Sequence, residues 1–456
     1  MTERPLAVLA VADSDSYLKW GAATLGRMPQ SWTTDLVVVE TPAVPSARQV
    51  AAALAGTVFE TRGVDIRGAD EIARRVAAER PDIVLLSVRG PVVRVLVRAI
   101  LGDREARRAT DASGARAGRP GGRGATTPWR PVLVSGLPGI SIPATRKALY
   151  YRAQVDALIL HSAREIDEFR ALAATMGVGQ RFALSTLPFL ADTPRPTGTA
   201  RGRGSRDRAA TDIVFAAQAK VPREKSDREH VLRELATLAD ADPSRRVVLK
   251  LRGLAGEPQT HAERYPYDTL LAEIPEARGK LVIDTGPMSA SLDTAAALVT
   301  VSSTAAIEAV HRDIPVLVLD DFGVSNGLIN TVFEGSGLLG PLSSLATTGA
   351  RLADARWLDD NYFHAPDTVD CIAVLETLVV EREAGTLAVR PQFRGTLGGT
   401  LRRVWDRKRA LGRYDRSAAG FLALAVGMPA RYVVLAVRAA RRSMRSTSED
   451  RRMTRP

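Results

Sequence analysis

Short apolar runs alternate with longer stretches of helical periodicity along most of this chain. Leu6 to Ala12, Leu36 to Glu40, Ile83 to Ser87, Val132 to Ser135 and Ala157 to Leu160 read as buried strands, with helices over Asp70 to Glu79 and Ala163 to Met176 between them. After a break the alternation restarts. Ile213 to Ala216, Val247 to Leu251, Leu281 to Asp284, Leu298 to Val301 and Pro315 to Leu319 read as strands, and Ser226 to Ala239 and Thr304 to His311 as helices. Parallel strands need a crossover connection, so strands that alternate with helices imply parallel sheets covered on both faces. The predicted fold is α/β, with two Rossmann-like domains facing a cleft and a basic helical tail.

Two segments break the pattern. Asp192 to Asp212, rich in Pro, Gly and Arg, reads as an interdomain linker, which sets one domain at 1–191 and a second at 213–389, with the tail at 390–456. Asp103 to Trp129 is rich in Gly, Arg and Ala without periodicity and reads as a mobile insertion in the first domain.

At 456 residues the chain exceeds what one ordinary core holds, which agrees with two domains. Its single cysteine, Cys371, excludes a disulfide or thiolate metal cluster within one chain and suits a reducing cytoplasm. The first apolar run breaks into acids too early for a signal peptide, and no uninterrupted apolar run reaches spanning length. The expected location is cytoplasmic, or peripheral on the inner face of the plasma membrane. The net charge of +12 is confined to one end: residues 390–456 carry 17 Lys and Arg against four acids, an excess that leaves the body near neutral. Nucleic acid is therefore not the expected partner, since no aromatic interleaving accompanies the charge. There is no GxGxxG fingerprint and no GxxxxGK[ST] loop, which argues against a dinucleotide oxidoreductase or P-loop ATPase.

Candidate chemistry collects where strands end, because ligands of open α/β sheets bind at the carboxyl edge. Ser302, Ser303 and Thr304 follow the apolar run that ends at Val301 and sit where the next helix would present free N–H groups, an anion site in outline. Glu308, one turn on, suits a sugar or ribose hydroxyl. Lys250 and Arg252 end another strand and suit a diphosphate leaving group, with His261 in the polar loop beyond. In the first half, Asp13 and Asp15 follow the first strand and suit a general base, Asp15 or Ser16 being equally suited to cap the next helix. Ser135 and Gly136, the helix start at Arg146, and His161 suit acceptor contacts, although turn and capping roles explain them as well. Asp320 and Asp321 read as a turn before Phe322 and Gly323.

VDALILHSAREIDEFRALAATMGV in the first half and VTVSSTAAIEAVHRDIPVLVLDDFG in the second resemble the GT-B glycosyltransferases. The resemblance is greatest to bacterial capsule and cell-envelope polysaccharide transferases and to a group of actinobacterial proteins assigned to glycosyl transfer. It implies a GT-B fold, with a nucleotide-sugar donor on the second domain, a glycan or lipid-linked acceptor on the first, and catalysis without an essential metal or cofactor. By this resemblance Ser302, Ser303 and Thr304 match the donor-phosphate turn, Glu308 the helix acid, and Lys250 with Arg252 the basic strand end. The sequence has Lys250-Leu251-Arg252-Gly253 where envelope transferases carry a Lys-Pro-His-Pro-like element, which leaves the donor open.

Three other functions fit parts of the pattern. Strands ending in Asp13-Ser14-Asp15 and in Asp320-Asp321 imitate a haloacid-dehalogenase-like phosphotransferase. A sugar-nucleotide epimerase would use the same fold, and a non-catalytic membrane-surface scaffold would use the tail. In Leu401 to Arg445 basic clusters flank an apolar segment, Ala418 to Val437, a combination suited to an anionic membrane surface.

Overall fold

The computed structural model describes residues 4–112, 129–191, 210–256, 263–346, 349–390 and 399–429. The first half is one parallel sheet of β1 (Ala7–Ala12), β2 (Thr33–Val39), β3 (Asp65–Arg67), β4 (Ile83–Ser87), β5 (Val132–Gly136), β6 (Ala157–Leu160) and β7 (Arg181–Leu184), in the order β3-β2-β1-β4-β5-β6-β7. The second is a parallel sheet of β8 (Asp212–Ala216), β9 (Val247–Lys250), β10 (Leu281–Asp284), β11 (Ala295–Thr300), β12 (Val316–Leu319) and β13 (Leu339–Gly340), in the order β10-β9-β8-β11-β12-β13. Both orders reverse direction beside their first strand, the arrangement that opens a ligand crevice at the carboxyl edge of a Rossmann-like sheet. Two such sheets in one chain are the GT-B architecture.

The strands with uninterrupted apolar runs form as the pattern predicts. β3, β7 and β13 do not announce themselves: β3 is exposed throughout and lies at the sheet edge, and β13 has only two residues. Residues 103–112 of the expected insertion continue a helix, Gly90–Ala112, beyond a kink at Gly102, while 113–128 lie outside the described residues, as do 192–209 of the expected linker.

Helix Cys371–Glu383 belongs by sequence to the second domain, yet it packs on the first sheet. Cys371, Leu375, Leu378 and Val379 share an apolar cluster with Val8, Leu85 and Val134. Asp82, nearly fully buried, fixes its far end by accepting from Arg382 at 2.8 Å, from Arg4 at 2.5 Å and from the Ala7 amide at 2.9 Å. Burial opposes its ionisation, but these donors together hold its carboxyl below the usual range. Helix Gly399–Leu411 also returns to the first half, with Ala410 and Leu411 in the cluster around Val92 and Leu96.

Replacing Asp82 by Ala removes the acceptor shared by Arg382, Arg4 and the Ala7 amide and leaves Arg382 only the residue-82 carbonyl and Glu383. A loss of about 3 kcal/mol in urea unfolding is expected; an unchanged midpoint would show that Asp82 does not anchor the returning helix.

Candidate functional site

The two carboxyl edges approach each other at one seam. Glu165, on helix Ala163–Met176, is fully buried. It accepts from the Ser141 amide (2.8 Å), the His161 amide (2.8 Å) and, across the halves, the Tyr362 hydroxyl (2.8 Å). Ser162 caps the same helix by accepting from the Glu165 amide. Ser162 and Glu165 have capping-box spacing, so half of this arrangement follows from sequence; the reach to Tyr362 does not. Ile142, Leu187 and Leu190 of the first half share an apolar cluster with Ala305, Ala306 and Tyr362 of the second.

Beside the seam, the loop after β5 meets the turn after β11. A Cβ on Gly139 would lie 3.1 Å from the Thr304 methyl. Nearby, Lys19 of helix Asp15–Leu25 acts on Glu308 of helix Ala305–His311. Burial raises the Glu308 carboxyl pKa, opposed by Arg312 at 3.0 Å and by Lys19. Lys220, in the loop after β8, has its pKa pushed down by burial and by Lys147 across the cleft. The cleft thus brings together Thr304, Glu308 and Lys220 from one lip with Lys19, Gly139 and Lys147 from the other.

Ser302 is bound to its own half. Its amide donates to the Gln218 side-chain oxygen at 2.7 Å and its hydroxyl accepts from Gln218 Nε2 at 3.0 Å, which ties the loops after β8 and β11. Ser303 accepts from the Ala305 amide, a capping contact, and Thr304 makes no side-chain cap bond. Gln218 and Lys220 are the residues the strand-end pattern does not single out. The loop that carries them is clamped by Arg228, buried with its guanidinium on the Pro222, Gln218 and Ala219 carbonyls.

Several predicted site residues turn out to be occupied. Lys250 is 4% exposed and donates to the Gly286 carbonyl at 2.5 Å beside Asp284, so its ammonium serves the β9–β10 edge and not a diphosphate; burial lowers its pKa. Arg252 is exposed, and His261 lies outside the described residues. Ser135 is buried between the Leu86 carbonyl and Arg152 Nε, and a Cβ on Gly136 would sit 2.3 Å from the Trp20 ring, so neither is open to an acceptor. Arg146 is exposed at a helix start capped by Thr145. His161 accepts from Trp20 Nε1 at 2.9 Å. An indole only donates, so the proton is on Nδ1, which meets the Ser185 carbonyl at 2.8 Å. Burial pushes its pKa down to about 4, so it is a neutral tether and not an acceptor base.

Asp13 is also buried. Its two oxygens accept from the Arg89 amide (3.1 Å) and Arg89 Nε (2.7 Å), and Arg89 in turn reaches Thr41. Burial raises its pKa against the pull of Arg89. Asp15 is half-buried in the first turn of Asp15–Leu25, where Ser14, not Asp15 or Ser16, holds the N-cap position, without a side-chain cap bond. Asp320 closes a turn with Gly323, and Asp321 accepts from the Leu342 amide. β1 and β12 belong to different sheets, so Asp13 and Asp320-Asp321 share no strand edge, which removes the basis for a haloacid-dehalogenase-like centre. A depression lined by Asp240, Arg245, Arg246 and Lys280 lies at the opposite edge of the second sheet, where Lys280 pairs with Asp240 and Arg246 with Asp212.

Residues 8–378 match a family model described as "Putative glycosyltransferase (DUF6716)". The chain belongs to this family. Among solved structures, this glycosyltransferase-family chain is similar to the S. aureus MnaA-UDP co-structure, at 10% identity over 86% of this chain and 100% of that one, with a TM-score of 0.48. It is also similar to Acinetobacter baumannii MurG, at 11% identity over 83% and 100% with a TM-score of 0.40, and to Phytolacca americana UGT2 complexed with UDP-2fluoro-glucose and pterostilbene, at 10% identity over 84% and 94% with a TM-score of 0.39. No curated protein matches the chain by sequence.

Burial raises the Glu165 carboxyl pKa to about 7. The folded form therefore takes up a proton below pH 7 that the unfolded chain takes up only near its ordinary carboxyl pKa, and this group stabilises the fold as pH falls through that window. His161 opposes it, because the unfolded imidazole protonates first. Glu165→Gln removes one of the two opposing contributions. The melting difference between native protein and variant is expected to widen in favour of the native protein from pH 7.5 to 5, by at most about 3 kcal/mol; a difference independent of pH would contradict it.

Proposed function

We propose that this member of the family transfers a sugar from a nucleotide-activated donor to a cell-envelope or lipid-linked acceptor, by direct displacement with inversion and without a metal. The observation that supports this reading most is the family match combined with two Rossmann-like sheets whose carboxyl edges meet where Gly139 touches Thr304. The donor diphosphate is assigned to the turn at Ser302, Ser303 and Thr304, where N–H groups and the positive end of the helix favour negative charge as the leaving group develops it. Lys220, with no ion pair among the described residues, replaces Lys250 in this assignment, and Arg252 stays at the rim. Glu308 faces the sugar or ribose.

The acceptor lies on the first half, with Arg146 at its rim. The base is Asp13 or Asp15. Asp13 is buried with both oxygens on Arg89, which orients its carboxylate, while Asp15 has the greater exposure. In the reaction the base takes the acceptor hydroxyl proton, the oxygen attacks the anomeric carbon, and the nucleoside diphosphate departs with the electrons of the broken bond.

Thermal stabilisation against UDP, GDP, CDP and CMP and their sugars identifies the donor, since a ligand that binds only the folded protein raises its apparent stability. One of these is expected to raise the midpoint, and Lys220→Ala to weaken that binding by about tenfold. No shift with any of them contradicts donor binding. With the donor known, Asp13→Asn is expected to lose transfer by about 100-fold or more while keeping donor affinity; full activity in both Asp13→Asn and Asp15→Asn removes the base assignment.

A further inference from the structure

The last described helical segment, residues 418–429, has no charged or hydrogen-bonding side chain: AAGFLALAVGMP. One side packs closely on helix Gly399–Leu411, where a Cβ on Gly427 would lie 2.4 Å from the Trp405 ring and Ala423 is 1% exposed. The other side is largely open, with the Lys408 ammonium covering one face of the Phe421 ring at 3.6 Å. Phe421, Leu422 and Val426 are 57%, 65% and 54% exposed, and Leu401 on the neighbouring helix is 52% exposed. A helix on a water-facing surface carries polar residues on its outer face, so an apolar outer face calls for an apolar neighbour.

Charge identifies that neighbour. Residues 399–429 hold seven Lys and Arg against two acids, and Arg402, Arg409, Arg413 and Arg416 are exposed in the same segment. Residues 430–456 add eight Arg against two acids. An exposed apolar face within a strongly cationic segment, with the Lys408 ammonium at its Phe421 edge, fits an anionic lipid surface, with shallow insertion of the apolar side chains and the cations at headgroup level. No described helix is long and apolar enough to cross a membrane.

The position of this face ties it to the cleft. Arg407 makes a bidentate pair with Asp70, at the start of the helix after β3, with distances of 2.9 and 2.7 Å. A Cβ on Gly412 would lie 2.6 Å from Pro42, after β2. Both contacts are at the carboxyl edge of the first sheet, and Thr41, next to Pro42, donates to the Asp13 carbonyl.

We propose that the face formed by Phe421, Leu422 and Val426 docks the protein on an anionic membrane beside the acceptor half of the cleft, so that an amphiphilic acceptor enters from the lipid surface. Only the role given to the acceptor rests on the transferase reading; the docking itself does not.

Flotation of the full chain with phosphatidylcholine vesicles and with phosphatidylcholine–phosphatidylglycerol vesicles tests it. Binding is expected to the anionic vesicles only, to weaken with salt, and to fall about tenfold or more in a Leu422→Ser, Val426→Ser variant whose melting midpoint is unchanged. Absent binding, binding equal in that variant, or loss in the variant of a concentration-dependent dimer by light scattering instead of vesicle binding would overturn it. Nucleotide-sugar binding measured on the same samples separates the two readings: if it persists while lipid binding is absent, the docking alone fails, and if vesicles bind but no nucleotide does, the transferase reading alone fails.

Discussion

The arrangement of this molecule depends on one buried carboxylate at the seam between its halves. Glu165 receives hydrogen bonds from three segments, two in the first half and one, through Tyr362, in the second. A buried carboxylate is costly unless its lone pairs are satisfied, so these donors specify one relation between the halves. The surrounding apolar contacts supply most of the attraction, and the carboxylate supplies the selectivity. Helix Cys371–Glu383 closes the chain back on the first sheet, which leaves the seam as the place where the two carboxyl edges face one another.

That constraint explains which polar residues are available and which are used. Residues at strand ends deep in either half, such as Ser135, Lys250 and His161, are consumed in holding loops together. Residues one step further out, such as Lys220 and Thr304, lie nearer the facing half, beside Lys147 and Gly139. The separation follows from parallel topology, because every strand ends at the same edge and the loops there need buried anchors before they can present anything to a ligand.

Much of the fold was legible from periodicity, because buried parallel strands are near-continuous apolar runs. β3 escaped because as an exposed edge strand it has no apolar run, and β13 because two residues show no periodicity. The candidate site was legible in position more than in partnership. The Ser302 to Thr304 turn and the Asp13 strand end are visible in sequence, but nothing local shows that Gln218 ties down Ser302 or that Arg89 engages both oxygens of Asp13. The same limit holds for Cys371–Glu383 and for Gly399–Leu411, whose return to the first half is a long-range outcome that helical periodicity does not encode. A charge count saw the basic tail, whereas the open face at Leu422 required knowing which side Trp405 covers.

The cleft between the two carboxyl edges is assigned as the nucleotide-sugar site. Hydrogen–deuterium exchange with and without the stabilising nucleotide sugar tests it most directly. Protection is expected in the loop 217–222 and the turn 301–308, with a smaller effect in the facing loop 137–141 and none at 239–246 on the opposite edge of the second sheet. Protection confined to other segments, or none at ligand concentrations that raise the melting midpoint, would contradict the account.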